Sequence, residues 1–145
     1  TILALDILRD LGFVYDSSIF PIKNFLYGIP EAPQVMHRVA GGSLIEFPLS
    51  VIKKYGMTIP VCGGFYMRAM PYQWIKWGLS YFNNSKGGAV FYFHPWELDA
   101  DKPRIPMPLK WRVIHEHNLH TMRKKLERLV KDFRFGTISE VISNG

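Results

Sequence analysis

The hydrophobic pattern along the chain turns on one stretch. Gly88-Ala89-Val90-Phe91-Tyr92-Phe93 is an unbroken run of small and aromatic apolar residues. Such a run suits a strand buried on both faces, as in a parallel sheet. It predicts a strand that stops at His94, because Pro95 has no amide hydrogen to give to a ladder. His94 would then stand at the carboxyl end of a buried strand, the rim where α/β folds place their ligands.

Upstream, Ala4, Ile7, Leu8 and Leu11 fall at helical spacing and Gly12 supplies a stop. Phe13-Val14-Tyr15 reads as a strand, with Asp16-Ser17-Ser18 at its exit. Residues 20–43 carry three prolines and three glycines without a period, which predicts a long loop. Leu44-Ile45-Glu46-Phe47-Pro48-Leu49 alternates like a strand, and Ile59-Pro60-Val61 is a short extended piece before a turn at Cys62-Gly63-Gly64. Pro71 opens a helix in which Ile75, Leu79 and Phe82 line one face while Trp74, Trp77 and Tyr81 crowd another. A turn over 83–88 leads back to the His94 stretch. Leu119, Met122, Leu126, Leu129, Val130 and Phe133 mark a long amphipathic helix closed by Gly136, and Thr137 with Glu140 has capping-box spacing for a last short helix. The alternation of the two element types predicts an α/β fold.

Composition narrows this. With 145 residues, 48% of them apolar and 21% charged, the chain suits one globular domain and not a disordered segment. Every apolar run is broken before it reaches the length of a membrane span. The single cysteine, Cys62, excludes an internal disulfide framework and reads as a small apolar filler. The net charge of +6 is uneven, since residues 102–135 hold ten Lys/Arg against three Asp/Glu. We read those cations as the solvated face of the long helix and not as a nucleic-acid surface. Thr1-Ile2-Leu3 enters directly into a helical pattern without an initiator Met, which fits a piece of a longer protein.

Several constellations carry candidate chemistry. His115, His117 and His120 suggest a metal cluster, but only His117 and His120 share a helix face and no acidic or cysteine partner completes the set. Glu97 and Asp99 resemble a carboxylate pair, yet their spacing turns at most one of them to a site. The more useful pair is Asp16 with His94. A carboxylate beside an imidazole fixes its tautomer and stabilises the imidazolium, which makes a general acid. Structural readings stand beside these: Asp16-Ser17-Ser18 as turn chemistry, and His94 as a core histidine bonded to a carbonyl.

Leu11-Gly12-Phe13-Val14-Tyr15-Asp16-Ser17-Ser18-Ile19-Phe20-Pro21 resembles the fourth motif of the polysaccharide deacetylases, the NodB-homology group of carbohydrate esterase family four. Phe91-Tyr92-Phe93-His94-Pro95-Trp96-Glu97-Leu98-Asp99 is similar to the fifth. Tyr27-Gly28-Ile29-Pro30, Glu46-Phe47-Pro48-Leu49-Ser50, Gly63-Gly64-Phe65-Tyr66-Met67-Arg68 and Phe135-Gly136-Thr137-Ile138-Ser139-Glu140-Val141 resemble the bacterial branch found at exosortase and exopolysaccharide loci. The resemblance implies a distorted, incomplete TIM-like (β/α) barrel of NodB type. It implies a hydrolase of carbon–nitrogen bonds that removes N-acetyl groups from amino sugars of an exopolysaccharide. A divalent metal such as zinc, held by one aspartate and two histidines, would polarise water and carbonyl. His94 would be the acid that protonates the leaving amine, Asp16 the carboxylate that tunes it, and Tyr92, Trp96 and Arg68 would meet the substrate.

The departures are as informative. The family's Thr-Phe-Asp-Asp first motif, its His-x-x-x-His second motif and its third-motif arginine have no counterpart here, and Tyr92 stands where the fifth motif has an apolar leucine. Residues 1–145 are thus expected to be the C-terminal portion of one deacetylase domain, with the metal-binding N-terminal half as their partner. Alone they should bind no catalytic metal, show no turnover, and associate through an exposed Trp74/Trp77/Tyr81 face. The parent's compartment, cytoplasmic or periplasmic, stays open. Two other readings remain: a different amide or imide hydrolase on this fold, and a non-catalytic carbohydrate-binding module rich in stacking aromatics.

Overall fold

The computed structural model describes residues 2–23, 28–85, 87–103 and 105–143. Of the residues singled out above, Thr1 and Tyr27 lie outside these, as does residue 86 of the predicted 83–88 turn. The chain divides into two compact units: residues 1–60 with 81–90, and residues 61–80 with 91–145.

In the first unit, helix α1 (Ile2–Asp10) ends as its sequence predicts, with Gly12 at φ +81°. Strand β1 (Tyr15–Asp16) runs parallel to β3 (Leu44–Glu46), and β2 (His37–Val39) runs antiparallel along the other side of β3. The sheet order is therefore β1-β3-β2. The strand predicted over 44–49 stops at Glu46, short of Pro48. Leu44 and Glu46 point inward while Ile45 is half-buried, the period of two expected of a strand with one covered face. Leu5, Ile19 and Leu44 form the core under this sheet, with Leu8, Ile29, Ala32 and Val39 packed around them. Strands β4 (Val51–Lys54) and β5 (Met57–Pro60) make a separate hairpin. Its turn residues Tyr55 and Gly56 have φ +52° and +73°, the positive pair that suits the twist of a two-residue loop.

In the second unit, the short helix α2 (Gly64–Ala69) leads into α3 (Tyr72–Ser85), which starts one residue after Pro71 and continues into the first unit. Ile75, Leu79 and Phe82 are buried along it as their spacing predicts. Trp74 and Trp77 are 39% and 45% exposed, with ring centroids 5.4 Å apart. Helix α4 (Leu109–Glu116) precedes α5 (Leu119–Asp132), and α6 (Ile138–Ser143) follows. Helix α5 buries Leu119, Met122 and Leu129 against α2 and the Pro95–Leu98 turn. Val130, placed on that apolar face by its spacing, is exposed instead. At the far end of α5, Asp132 accepts the Tyr72 hydroxyl at 2.7 Å and pairs with Lys76 at 2.9 Å, fastening α5 to the start of α3. The Thr137–Glu140 capping box forms as the sequence predicts, with both reciprocal bonds present.

The α/β assignment holds: the chain mixes helices with small sheets, and no barrel closes among the described residues. One prediction is overturned. Residues 88–94 do not form a strand; they run extended without a ladder into a turn of 3-10 helix at Pro95–Leu98. Gly87 and Gly88 enter at φ +80° and +136°, outside β conformation for other residues, and the Val90 amide is taken by the Ser50 hydroxyl at 2.9 Å. No described strand lies along 88–94, so the apolar run packs through its rings and not through backbone pairing. No helix among the described residues is long and apolar enough to cross a membrane.

Candidate functional site

An extended backbone sends alternate side chains to opposite sides. Phe91 and Phe93 associate on one side with centroids 6.4 Å apart. Tyr92 and His94 meet on the other, edge to face at 5.9 Å. The His94 ring also lies over Trp96 at 5.9 Å and nearly parallel to it, and Trp96 touches His115 at 5.2 Å. His94 is exposed, and its imidazole stands at the edge of an aromatic wall. Beside the wall, Trp96, Lys102, Met107, His115 and Glu116 line an open cleft of about 280 Å³, with the Lys102 ammonium 3.8 Å from the centre of the Trp96 ring.

The backbone behind His94 is held by a buried ion pair. Glu97 and Arg68 are each 1% exposed. The Arg68 Nε and Nη2 groups reach Glu97 Oε1 at 3.0 and 2.9 Å, and Glu97 Oε2 accepts the His94 amide at 2.8 Å. Arg68 also donates to the carbonyls of His117 at 2.7 Å and Ile114 at 3.0 Å, satisfying the open C-terminal end of α4. Lys125 does the same for α2, donating to the carbonyls of Met67, Arg68 and Met70. Arg68, expected at the substrate, therefore sits in a different place: its guanidinium is buried and committed to Glu97 and two carbonyls, so it shapes the His94 turn from behind. Tyr92 and Trp96, the other two residues expected at the substrate, do share the wall with His94.

The Gly63-Gly64 pair is explained by the same turn. Gly63 has φ +95° and lies against the Tyr92 ring. A Cβ on Gly64 would overlap the Glu97 carboxylate, which cannot retreat because Arg68 and the His94 amide pin both oxygens. Gly64→Ala is expected to cost about 1–3 kcal/mol of stability, the usual range for overpacking a filled interior. A urea midpoint unchanged from wild type would show that the turn relaxes freely.

In the first unit, Asp16 ends β1 and accepts the Ser18 hydroxyl at 2.6 Å, while Ser17 donates to the Phe47 carbonyl. Its register partner on β3 is Glu46, which is fully buried. Glu46 Oε1 accepts the Ile19 amide at 2.9 Å. Burial pushes the Glu46 carboxyl up from 4.5 to about 7, the Ile19 amide pulling it down and the neighbouring Asp16 charge pushing it further up. Folding thus favours the protonated acid. Its contribution is complete below about 4.5 and is lost as pH rises through about 7. At ~1.4 kcal/mol per unit this amounts to about 3 kcal/mol. Glu46→Gln, neutral at every pH, is expected to flatten the fall in urea midpoint between about pH 5 and about pH 8. An equal slope in variant and wild type would assign the fall to other groups.

The three histidines of the C-terminal segment do not gather. His117 caps the end of α4, its Nε2 accepting from Asn118 at 2.9 Å, and Asn118 breaks the helix at φ +52° before His120 enters α5. The shared face of His117 and His120 predicted from a continuous helix is absent. Among the described residues no three His, Cys, Asp or Glu side chains converge as a metal would need. The described residues do not fit a metal centre. Cys62 is buried.

The sequence marks Glu97 only as a candidate site carboxylate, and it does not mark Lys125 or Glu46 as buried supports. Two of these carry a signal in hindsight: Glu97 stands three after His94 with Pro95 between, a capping pattern, and Glu46 occupies an inward position of an apolar alternation. Lys125 carries a weaker one: it stands three after Met122 and four before Leu129, on the apolar face of α5, where Lys124 does not.

Compared with known proteins, residues 17–143 match the family model described as Domain of unknown function (DUF3473). No curated protein and no solved structure matches the chain.

Proposed function

We propose, for a chain that belongs to the DUF3473 family, that it forms part of a metal-dependent polysaccharide deacetylase, with His94 as the general acid. The family's association with polysaccharide deacetylases supports this reading, as do the two motif-like stretches around Asp16 and His94. The observation that carries it is the setting of His94: an exposed imidazole on a backbone fixed by a buried ion pair. Preorganisation of that kind is what a proton donor needs. His94 would protonate the amine as the bond from acetyl carbon to sugar nitrogen breaks. Tyr92 and Trp96 would give the sugar ring an aromatic wall, and the Tyr92 hydroxyl would make the acetyl pocket more polar than the family's usual leucine. By the resemblance alone, Asp16 would be the carboxylate that tunes His94. Metal ligands and base would come from residues other than those described here, in a NodB-type barrel of which residues 1–145 form the C-terminal portion.

Acetate release from N-acetylated amino-sugar oligomers by the protein that contains this chain, with zinc added or chelated, tests the reading. Metal-dependent release supports it. Oligosaccharide binding without release in either condition would favour a carbohydrate-binding module, and release of other amides alone would favour a different amide hydrolase.

A further inference from the structure

We infer that the paired carboxyl groups of Glu46 and Asp16 share one proton, so that Glu46 acts as a positioning residue for the Asp16 carboxylate. The role of Asp16 in catalysis rests on the function proposed above; the shared proton does not. The geometry begins with register. Asp16 and Glu46 are paired residues of adjacent parallel strands, which sends their side chains to the same face of the sheet. Glu46 is 0% exposed, and its two oxygens are treated differently. Oε1 accepts the Ile19 amide, an acceptor role that either protonation state can fill. Oε2 is buried and makes no hydrogen bond of good geometry among the described residues, although the nearby Ser18 amide, like that of Ile19, favours the anion. A buried oxygen without a donor is costly as part of an anion and is readily explained as an O–H that needs an acceptor.

Asp16 is the acceptor at hand. It is half-buried, its Oδ2 is already engaged by the Ser18 hydroxyl, and its charge acts directly on Glu46. Two carboxylates so close cannot both ionise at little cost, and one proton between them leaves a single negative charge on the more exposed member.

No cation among the described neighbours offers another solution. The register partner of Glu46 on β2 is His37, whose Nδ1 is 2.9 Å from the Val35 carbonyl. On α1, which packs against β3, the cation is Arg9, and Asp6 and Asp10 already engage it. The 17–20 segment brings hydroxyls and amides but no charge. Glu46 therefore carries its own neutralisation, and Asp16 is held in place by an O–H on one side and Ser18 on the other.

The test is carboxyl carbon NMR on the whole chain across the pH range. The Glu46 Cδ resonance is expected to titrate near neutrality, and the Asp16 Cγ resonance to move in that same step. In Asp16→Asn the Glu46 midpoint should fall, because the anion that favours its protonated form is gone. A Glu46 midpoint unmoved by Asp16→Asn overturns the inference. Should that variant fail to fold, the wild type decides alone: an Asp16 resonance blind to the Glu46 step overturns it equally. None of these readouts uses acetate release. A confirmed shared proton with deacetylation indifferent to Asp16 would leave the pair standing and remove its catalytic role.

Discussion

Replacing His94 by alanine is expected to lower acetate release by about 10²–10⁴-fold, the usual worth of a positioned general acid. The loss should fall on kcat and leave KM near its wild-type value, because the proton is needed only as the amine departs. Stability should hardly change. His94 is exposed, and the turn beneath it is anchored through its backbone amide, which alanine retains. His94→Gln sharpens the result: it preserves a hydrogen-bond donor and the approximate size but cannot deliver a proton. If the acid is what matters, glutamine and alanine should be about equally inactive. Glutamine at near wild-type rate would reduce His94 to a substrate contact. Alanine at wild-type rate would end its part in the chemistry.

Much of the helical structure is legible in the sequence because it follows from short-range rules. The spacing of Ile75, Leu79 and Phe82, the Gly12 stop and the Thr137–Glu140 box each depend on residues within a few positions, and each appears as read. The strand predicted at 88–93 fails for the opposite reason. A strand needs a neighbour, and composition alone cannot supply one. The aromatic run that resembles a buried strand is explained by ring contacts among Phe91, Tyr92, Phe93 and His94, which a pattern of apolar letters does not distinguish from pairing. The hairpin of β4 and β5 is not legible in the sequence because its turn is Tyr55-Gly56, not one of the Asn-Gly or Asp-Gly pairs that advertise such a loop.

The candidate site divides along the same line. His94, Tyr92 and Trp96 are close in sequence, and their grouping is visible in the motif they share. The residues that hold them are remote: Arg68 lies 29 positions before Glu97, and the carbonyls it satisfies lie 46 and 49 positions after it. Nothing within a few positions of Arg68 marks its partner, so the sequence alone cannot tell the buried arginine from the substrate contact that the resemblance implies. Glu46 likewise reads as one polar letter in a strand.

Removing the Glu97 carboxylate is expected to be the most destabilising single change in the second unit. Glu97→Ala leaves the Arg68 guanidinium 1% exposed with its main acceptor gone. Breaking a buried pair from one side costs about 3–5 kcal/mol, because the remaining charge is uncompensated. The same variant removes the acceptor of the His94 amide, so activity should fall with stability, unlike in His94→Ala. Arg68→Met should be comparably severe, since it strands the Glu97 carboxylate and opens the carbonyls of Ile114 and His117. The double variant Arg68→Met with Glu97→Leu separates the two costs. No charge then remains buried, and its urea midpoint should lie well above the value obtained by adding the two single losses. It should still lie below wild type, because the two carbonyls at the end of α4 keep no donor. Salt offers an independent check: a pair this deeply buried is poorly screened, so added salt should leave the penalty of Glu97→Ala nearly constant. Strict additivity of the two substitutions, or a penalty that disappears in salt, would mean that Arg68 and Glu97 are ordinary surface charges and that the His94 turn is held by something else.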